Sequence, residues 1–176
     1  MGPELVAITA IGRDRSGIVA GVTKALFEEG CNLEDVSSTI LGGHFSMMLV
    51  VRVPEGVSAD DLGPRLVPTA EKLGLLVSVK PVEDEEREVV PPTHMVSVYG
   101  ADRPGIVYRV AELLSRKKAN ITDLTSRVIG TDEEPVYALM LEVAVPGDVD
   151  VAQELDRLRS ELGIEISVHP IDADVL

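Results

Sequence analysis

Gly100-Ala101-Asp102-Arg103-Pro104-Gly105-Ile106-Val107 is the second appearance in this chain of a stretch first written Gly12-Arg13-Asp14-Arg15-Ser16-Gly17-Ile18-Val19. At a constant offset the match continues: Val22 meets Val110, Leu26 meets Leu114, Asn32 meets Asn120, Asp35 meets Asp123 and Ser38 meets Ser126. The second repeat then gains a short insertion around Gly130-Thr131-Asp132-Glu133, where a hairpin turn belongs. Past it, Phe45 meets Tyr137, Met48 meets Met140 and Pro54 meets Pro146. Near the ends Leu73-Gly74 meets Leu162-Gly163 and Pro81 meets Pro170. Self-similarity sustained in this way marks a repeated structural unit, here of roughly eighty residues. The connector Glu83-Asp84-Glu85-Glu86-Arg87-Glu88-Val89-Val90-Pro91-Pro92 is charged and ends in paired prolines, which suits an exposed linker. The expected domains are 1–83 and 93–176, with 84–92 between them.

Hydrophobic periodicity sets the order of elements within each repeat. Leu5 to Ile11 and Met95 to Tyr99 read as opening strands that end at Gly12 and Gly100. Ile18, Val22, Ala25 and Leu26 recur at helical spacing, as do Ile106, Val110, Leu113 and Leu114, and Gly30 suits the end of the first helix. A strand from about Leu33 to Leu41 turns at Gly42-Gly43 into a second, where Phe45, Met47, Leu49, Val51 and Val53 alternate with Ser46, Met48, Val50 and Arg52. Tyr137, Leu139, Leu141, Val143 and Val145 form the matching face of the second repeat. Val151, Leu155, Leu158 and Leu162 line one side of its second helix. In the first repeat Pro64 and Pro68 are expected to disturb that helix. Leu75 to Val79 and Ile164 to Val168 close the two repeats as strands.

Strand-helix-strand-strand-helix-strand, twice over, is an α+β design: two tandem ferredoxin-like βαββαβ domains, each an antiparallel four-stranded sheet with its helices on one face. On the other face of the third strands Met48, Val50, Val136, Ala138 and Met140 are apolar for a solvent surface. Packing of the two repeats, or of two chains, would cover them.

Composition narrows the function. The formal net charge of −14 opposes phosphate binding and so direct contact with nucleic acid. Aromatic residues make up 3% of the chain, too few for stacking platforms. Cys31 is the single cysteine, which excludes an intrachain disulfide framework and fits a reducing compartment. No apolar run approaches the roughly 18 residues of a membrane span, and the start lacks a basic-then-apolar leader pattern, so a cytoplasmic protein without membrane contact is expected.

An enzyme is disfavoured. His44, His94 and His169 lack metal-ligand spacing, no cofactor motif is present, and the repeat sets Ala119 opposite Cys31, with no histidine beside it as a base. Asp60-Asp61 and Glu133-Glu134 read as solvated acidic pairs of an acidic protein.

The turn from first strand to first helix is the sharpest local feature. Its glycines permit close backbone approach, and the helix start offers free amides that suit a carboxylate. Asp102 can cap its helix, Pro104 suits a first helical turn, and Asp14 and Asp102 are placed to take an ammonium group. Spacing alone leaves open whether these residues bind an amino acid or only turn and cap the chain.

Gly-x-Asp-Arg-Pro-Gly-Ile-Val after a strand, followed by Asn-Ile or Asn-Leu at the next strand, resembles the ACT domain signature. Gly100 to Val107 with Asn120-Ile121 matches closely; Gly12 to Val19 with Asn32-Leu33 matches except at Ser16. Two such units and nothing else most resemble the glycine cleavage system transcriptional repressor group. The resemblance implies an amino-acid-binding regulatory module whose domains pair side by side, with the ligand near the glycine loop. Carried over by position, the candidate ligand contacts are Gly12, Asp14, Ser16, Gly17 and Ile18, and Gly100, Asp102, Pro104, Gly105 and Ile106. Asn32 and Asn120 would approach from a neighbouring domain. It implies glycine or another small amino acid as ligand, a homodimer, and a protein partner, either a transcription factor or a metabolic enzyme. A purely structural interaction module is the remaining alternative.

Overall fold

Every second side chain of His44–Arg52 is buried, beginning with Phe45, and this strand lies at the centre of the first half of the molecule. The computed structural model describes residues 4–82, 90–131, 133, 135–147 and 149–171. The chain divides into two compact units, Met1–Arg87 and Glu88–Leu176. The division falls inside the expected linker, of which 84–89 lie outside the described residues.

The first unit runs β1 (Leu5–Arg13), α1 (Ile18–Glu28), β2 (Asn32–Leu41), β3 (His44–Arg52), α2 (Ala59–Leu73) and β4 (Leu75–Pro81). The second runs β5 (His94–Gly100), α3 (Ile106–Arg116), β6 (Asn120–Gly130), β7 (Pro135–Ala144), α4 (Val151–Leu162) and β8 (Glu165–Pro170). The sheet orders are β2-β3-β1-β4 and β6-β7-β5-β8, and every pairing is antiparallel. Each unit is therefore a ferredoxin-like βαββαβ sandwich. The second repeat's insertion falls between the end of β6 at Gly130 and the start of β7 at Pro135, with 132 and 134 outside the described residues.

In each unit one sheet face meets the two helices. Val6, Ile8, Leu49 and Val51 join Leu26 and Leu62 in the first core; Val96, Val98, Leu139 and Leu141 join Leu114 and Leu155 in the second. Each such aliphatic side chain contributes roughly 2 kcal/mol by leaving water. Met48 and Met140 on the opposite faces stay exposed.

Helix α2 corrects the expectation drawn from its prolines, since it runs unbroken through both. Pro64 and Pro68 are four apart and both exposed, so the carbonyls they leave without an amide partner face solvent. Ser58 also anchors its start through a reciprocal box with Asp61. Asp150 caps α4 by accepting from the Ala152 and Gln153 amides. Gly74 (φ 65°) and Gly163 (φ 62°) end these helices in the left-handed conformation, which accounts for the paired Leu-Gly sequences. Strand β5 ends at Gly100 as expected, and β1 runs one residue beyond Gly12, to Arg13.

Candidate functional site

The loop between β1 and α1 is held from three sides. The Asp14 amide donates to the Gly43 carbonyl in the β2–β3 turn at 2.9 Å. Arg15 Nη2 donates to the Lys72 carbonyl at the end of α2 at 2.6 Å. A β-carbon on Gly12 would lie 2.6 Å from the Gly74 carbonyl oxygen, so only glycine lets β1 pass the start of β4. The second unit repeats the pattern: Arg103 Nη1 donates to the Leu162 carbonyl at 3.3 Å, and a β-carbon on Gly100 would meet Ile164 Cγ2 at 2.7 Å. The arginine and first glycine of the motif thus shape the loop.

Gly17 (φ 89°) and Gly105 (φ 94°) are the N-cap residues of α1 and α3, and neither helix has a side-chain cap. The expected capping by Asp102 is therefore not made. Pro104 precedes the cap rather than entering the first helical turn. Positive φ at the cap turns the chain abruptly into the helix, a conformation glycine adopts without the strain of a β-carbon. The Asp14 carboxylate is exposed, with no hydrogen-bond or ion-pair partner among the described residues.

A cavity of about 660 Å³ opens beside this loop, lined by Asp14, Arg15, Ser16, Gly17, Ile18, Val19 and Ala20 from the loop and α1, Ser38, Thr39 and Ile40 from β2, and Phe45 from β3. The amides of Ile18, Val19 and Ala20 begin α1 and have no partner one turn earlier; the first helical bond is from Gly21 to the Gly17 carbonyl at 2.9 Å. One wall thus presents amide donors with the positive end of a helix dipole, another the Asp14 carboxylate, and the floor is apolar. In chemical terms amide donors suit a carboxylate, a carboxylate suits an ammonium, and an apolar floor suits a short aliphatic group.

Of the sequence-derived candidates, the structure brings together Asp14, Ser16, Gly17 and Ile18; Gly12 stands behind them in a packing role. Asn32 does not join them. It pairs with Arg52 at the far end of β2, and its Nδ2 donates to Glu34 Oε1 at 3.1 Å. Asn120 holds the same place on β6, opposite Ala144. Ser38, Thr39, Ile40 and Phe45 were not among the candidates, although the Ser38–Ser126 correspondence marked that strand. At the equivalent positions around Gly100–Ile106 the second unit carries Tyr108 for Ala20, Arg127 for Thr39 and Tyr137 for Phe45.

The ACT domain model matches residues 4–80 and again 93–169. The chain belongs to the ACT domain family. Both matched segments contain one glycine loop, so each unit described above is one ACT domain. Over 173 residues the chain is 28% identical to the glycine cleavage system transcriptional repressor of Escherichia coli K12, covering 95% of this chain and 90% of that one. Among solved structures, an unknown protein from Galdieria sulphuraria superposes with a TM-score of 0.84 at 23% identity over 97% of this chain and 100% of that one. A candidate glycine cleavage system transcriptional repressor superposes with a TM-score of 0.70 at 19% identity, over 98% and 99% of the two chains. These two likenesses extend the tandem ACT fold to both units.

Cys31 is buried, and burial first, then the Glu29 charge, pushes its thiol above the usual range, with Arg65 acting the other way. His94 Nδ1 shares a hydrogen bond with Thr93 Oγ1 at 2.8 Å. Among the described residues no cluster of His, Cys, Asp and Glu is arranged to hold a metal ion, and no helix is long and apolar enough to cross a membrane.

Proposed function

We propose that this protein is an amino-acid-responsive regulator, not an enzyme, which binds a small amino acid at the glycine loop and passes the signal on by protein contact. The observation that carries this reading is the cavity of about 660 Å³ at the start of α1, where first-turn amides, the Asp14 carboxylate, unpaired among the described residues, and an apolar floor meet. Glycine is the first candidate ligand, and transcriptional co-regulation of amino-acid metabolism the first candidate output. Both follow from the Escherichia coli relative's printed function together with near full-length coverage of the two chains. The chain acts as a cytoplasmic homodimer through a regulatory protein partner, touching neither nucleic acid nor membrane; its charge of −14 supports the first of these exclusions. Ligand bound at the loop shifts the population of one arrangement, which the partner reads.

Small ligands bind weakly. At about 1.5 kcal/mol per heavy atom, glycine reaches at most roughly −7.5 kcal/mol, of order micromolar, so a screen must extend to millimolar concentrations. Thermal denaturation of the full chain with each of the twenty amino acids at roughly 10 mM tests the reading through ligand linkage. A selective rise in melting temperature, lost in Asp14→Ala, is expected. Absence of a rise with every amino acid would overturn it.

A further inference from the structure

One surface groove is finished differently in the two units. It lies between the second helix of each unit and the edge strand that follows: α2 and β4 in the first, α4 and β8 in the second. The paired Leu73-Gly74 and Leu162-Gly163 set Val67, Ala70 and Leu76 against Asp156, Arg159 and Glu165. In the second unit these side chains satisfy one another, Arg159 reaching Glu165 at 2.8 Å and Asp156 at 3.5 Å. Ile164 and Ile166 pack in the core, so Glu165 between them lies on the sheet face away from α4. The Arg159 side chain therefore crosses the outer edge of β8 and shields it.

Nothing equivalent covers β4. Val67, Ala70 and Leu76 are apolar and cannot pair, and Leu76 is 80% exposed and Val67 48% exposed beside a cavity of about 400 Å³. β4 has β1 as its one neighbour, so its outer side presents backbone donors and acceptors to a further strand. Lys80 and Pro81 end that stretch, which leaves 75–79 for pairing.

The helix wall of the groove indicates the chemistry of what pairs there. Pro64 and Pro68 lack the amides that would bond the Asp60 and Pro64 carbonyls, and both of those residues line the groove. The Asp60 and Glu71 carboxylates stand on the same rim, and neither forms an ion pair among the described residues. An open strand and an apolar floor beside a negative, acceptor-rich wall complement an extended chain with aliphatic and cationic side chains. We propose that the α2–β4 groove docks an extended segment of a protein partner, aliphatic in its middle and flanked by Lys or Arg. The segment adds to the edge of β4, with its side chains alternating between Val67, Val77 and Val79 on the helix side and Leu76 on the other.

The proposal rests on the protein-contact output of the preceding section and assigns its surface. Selection against the full chain from a random library of peptides of about eight residues, displayed on phage, tests it. Selected peptides should carry Val, Ile or Leu in the middle and Lys or Arg at the flanks, and should shift the backbone amide resonances of 75–79. The variant V67D/A70R/L76E gives the first unit the second unit's own ion pairs, and should bind these peptides at least about tenfold more weakly. Leu76→Glu alone, at an exposed position where folding is not at risk, should weaken binding in the same direction. Recovery of no peptide, of acidic peptides, or of peptides that bind wild type and both variants alike would overturn the proposal. An amino-acid thermal shift kept in that event would leave ligand sensing standing. Peptide docking without any amino-acid thermal shift would overturn sensing alone.

Discussion

Arg15 donates from Nη2 to the backbone carbonyl of Lys72 at 2.6 Å, joining the glycine loop to the last turn of α2. Helix C-terminal carbonyls carry partial negative charge and no amide partner, so a guanidinium is well matched to them. Arg15→Ala should lower the melting temperature of the first unit by a few degrees, the effect of somewhat under about 1 kcal/mol for an exposed bond. Arg103→Ala should cost the second unit less, since its bond to Leu162 is longer at 3.3 Å. Thermal denaturation of both variants checks the order.

The two glycines of the first loop fail in different ways when substituted. Gly12→Ala drives a β-carbon against the Gly74 carbonyl oxygen at 2.6 Å, and backbone cannot rotate aside, so a loss at the upper end of about 1–3 kcal/mol is expected. Gly100→Ala meets the Ile164 side chain instead and should cost less. Gly17→Ala meets nothing within 4 Å, but its φ of 89° costs about 1 kcal/mol in strain. Denaturant titration should rank Gly12→Ala as the most damaging of the three, while Gly17→Ala should remove the amino-acid thermal shift by re-aiming the α1 amides.

Much of this was legible because burial leaves periodic traces. The alternation from Phe45 to Val53 and the helical spacing from Ile18 to Leu26 correspond to buried faces. What escaped depends on contacts distant in sequence or on dihedral angles. Pro64 and Pro68 look like helix breakers until both are seen to face water. Asp102 looks like a cap until Gly105 is found in the left-handed region, occupying the cap position itself. Ser38, Ile40 and Phe45 reach the cavity through strand pairing, which the loop's own sequence does not encode. The partner of the motif's Arg15 lies 57 residues away, on the end of another helix, so the loop's own sequence does not reveal it.

Ser58 and Asp61 make the acid sensitivity of the first unit predictable. The Ser58 hydroxyl and amide both donate to Asp61 Oδ2, at 2.6 and 3.0 Å, and these bonds hold the Asp61 carboxyl below its ordinary range. A carboxylate whose pKa is lowered by folding stabilises the fold above its unfolded pKa, near about 4, and loses that contribution as pH falls through the folded value. Ser58→Ala should lower the first unit's melting temperature at neutral pH by about 5 °C. Its melting temperature should also fall less steeply than that of the wild type below about pH 4. Melting curves from pH 7 to pH 2.5 check both effects.

Cys31 tests the equivalence of the two units. Its amide donates to the Leu26 carbonyl at 2.9 Å, as the Ala119 amide does to Leu114 at 3.0 Å, and both side chains are buried. The second unit therefore already accommodates a methyl group at this position, and Cys31→Ala should cost less than about 1 kcal/mol with the amino-acid response unchanged. Because burial raises the thiol pKa, little of the nucleophilic thiolate forms at pH 8. Iodoacetamide should label the native chain far more slowly than the chain in denaturant. Rapid native labelling would instead mean that the β2 end of α1 opens readily, since the thiol meets reagent only when the packing around Leu26 is lost.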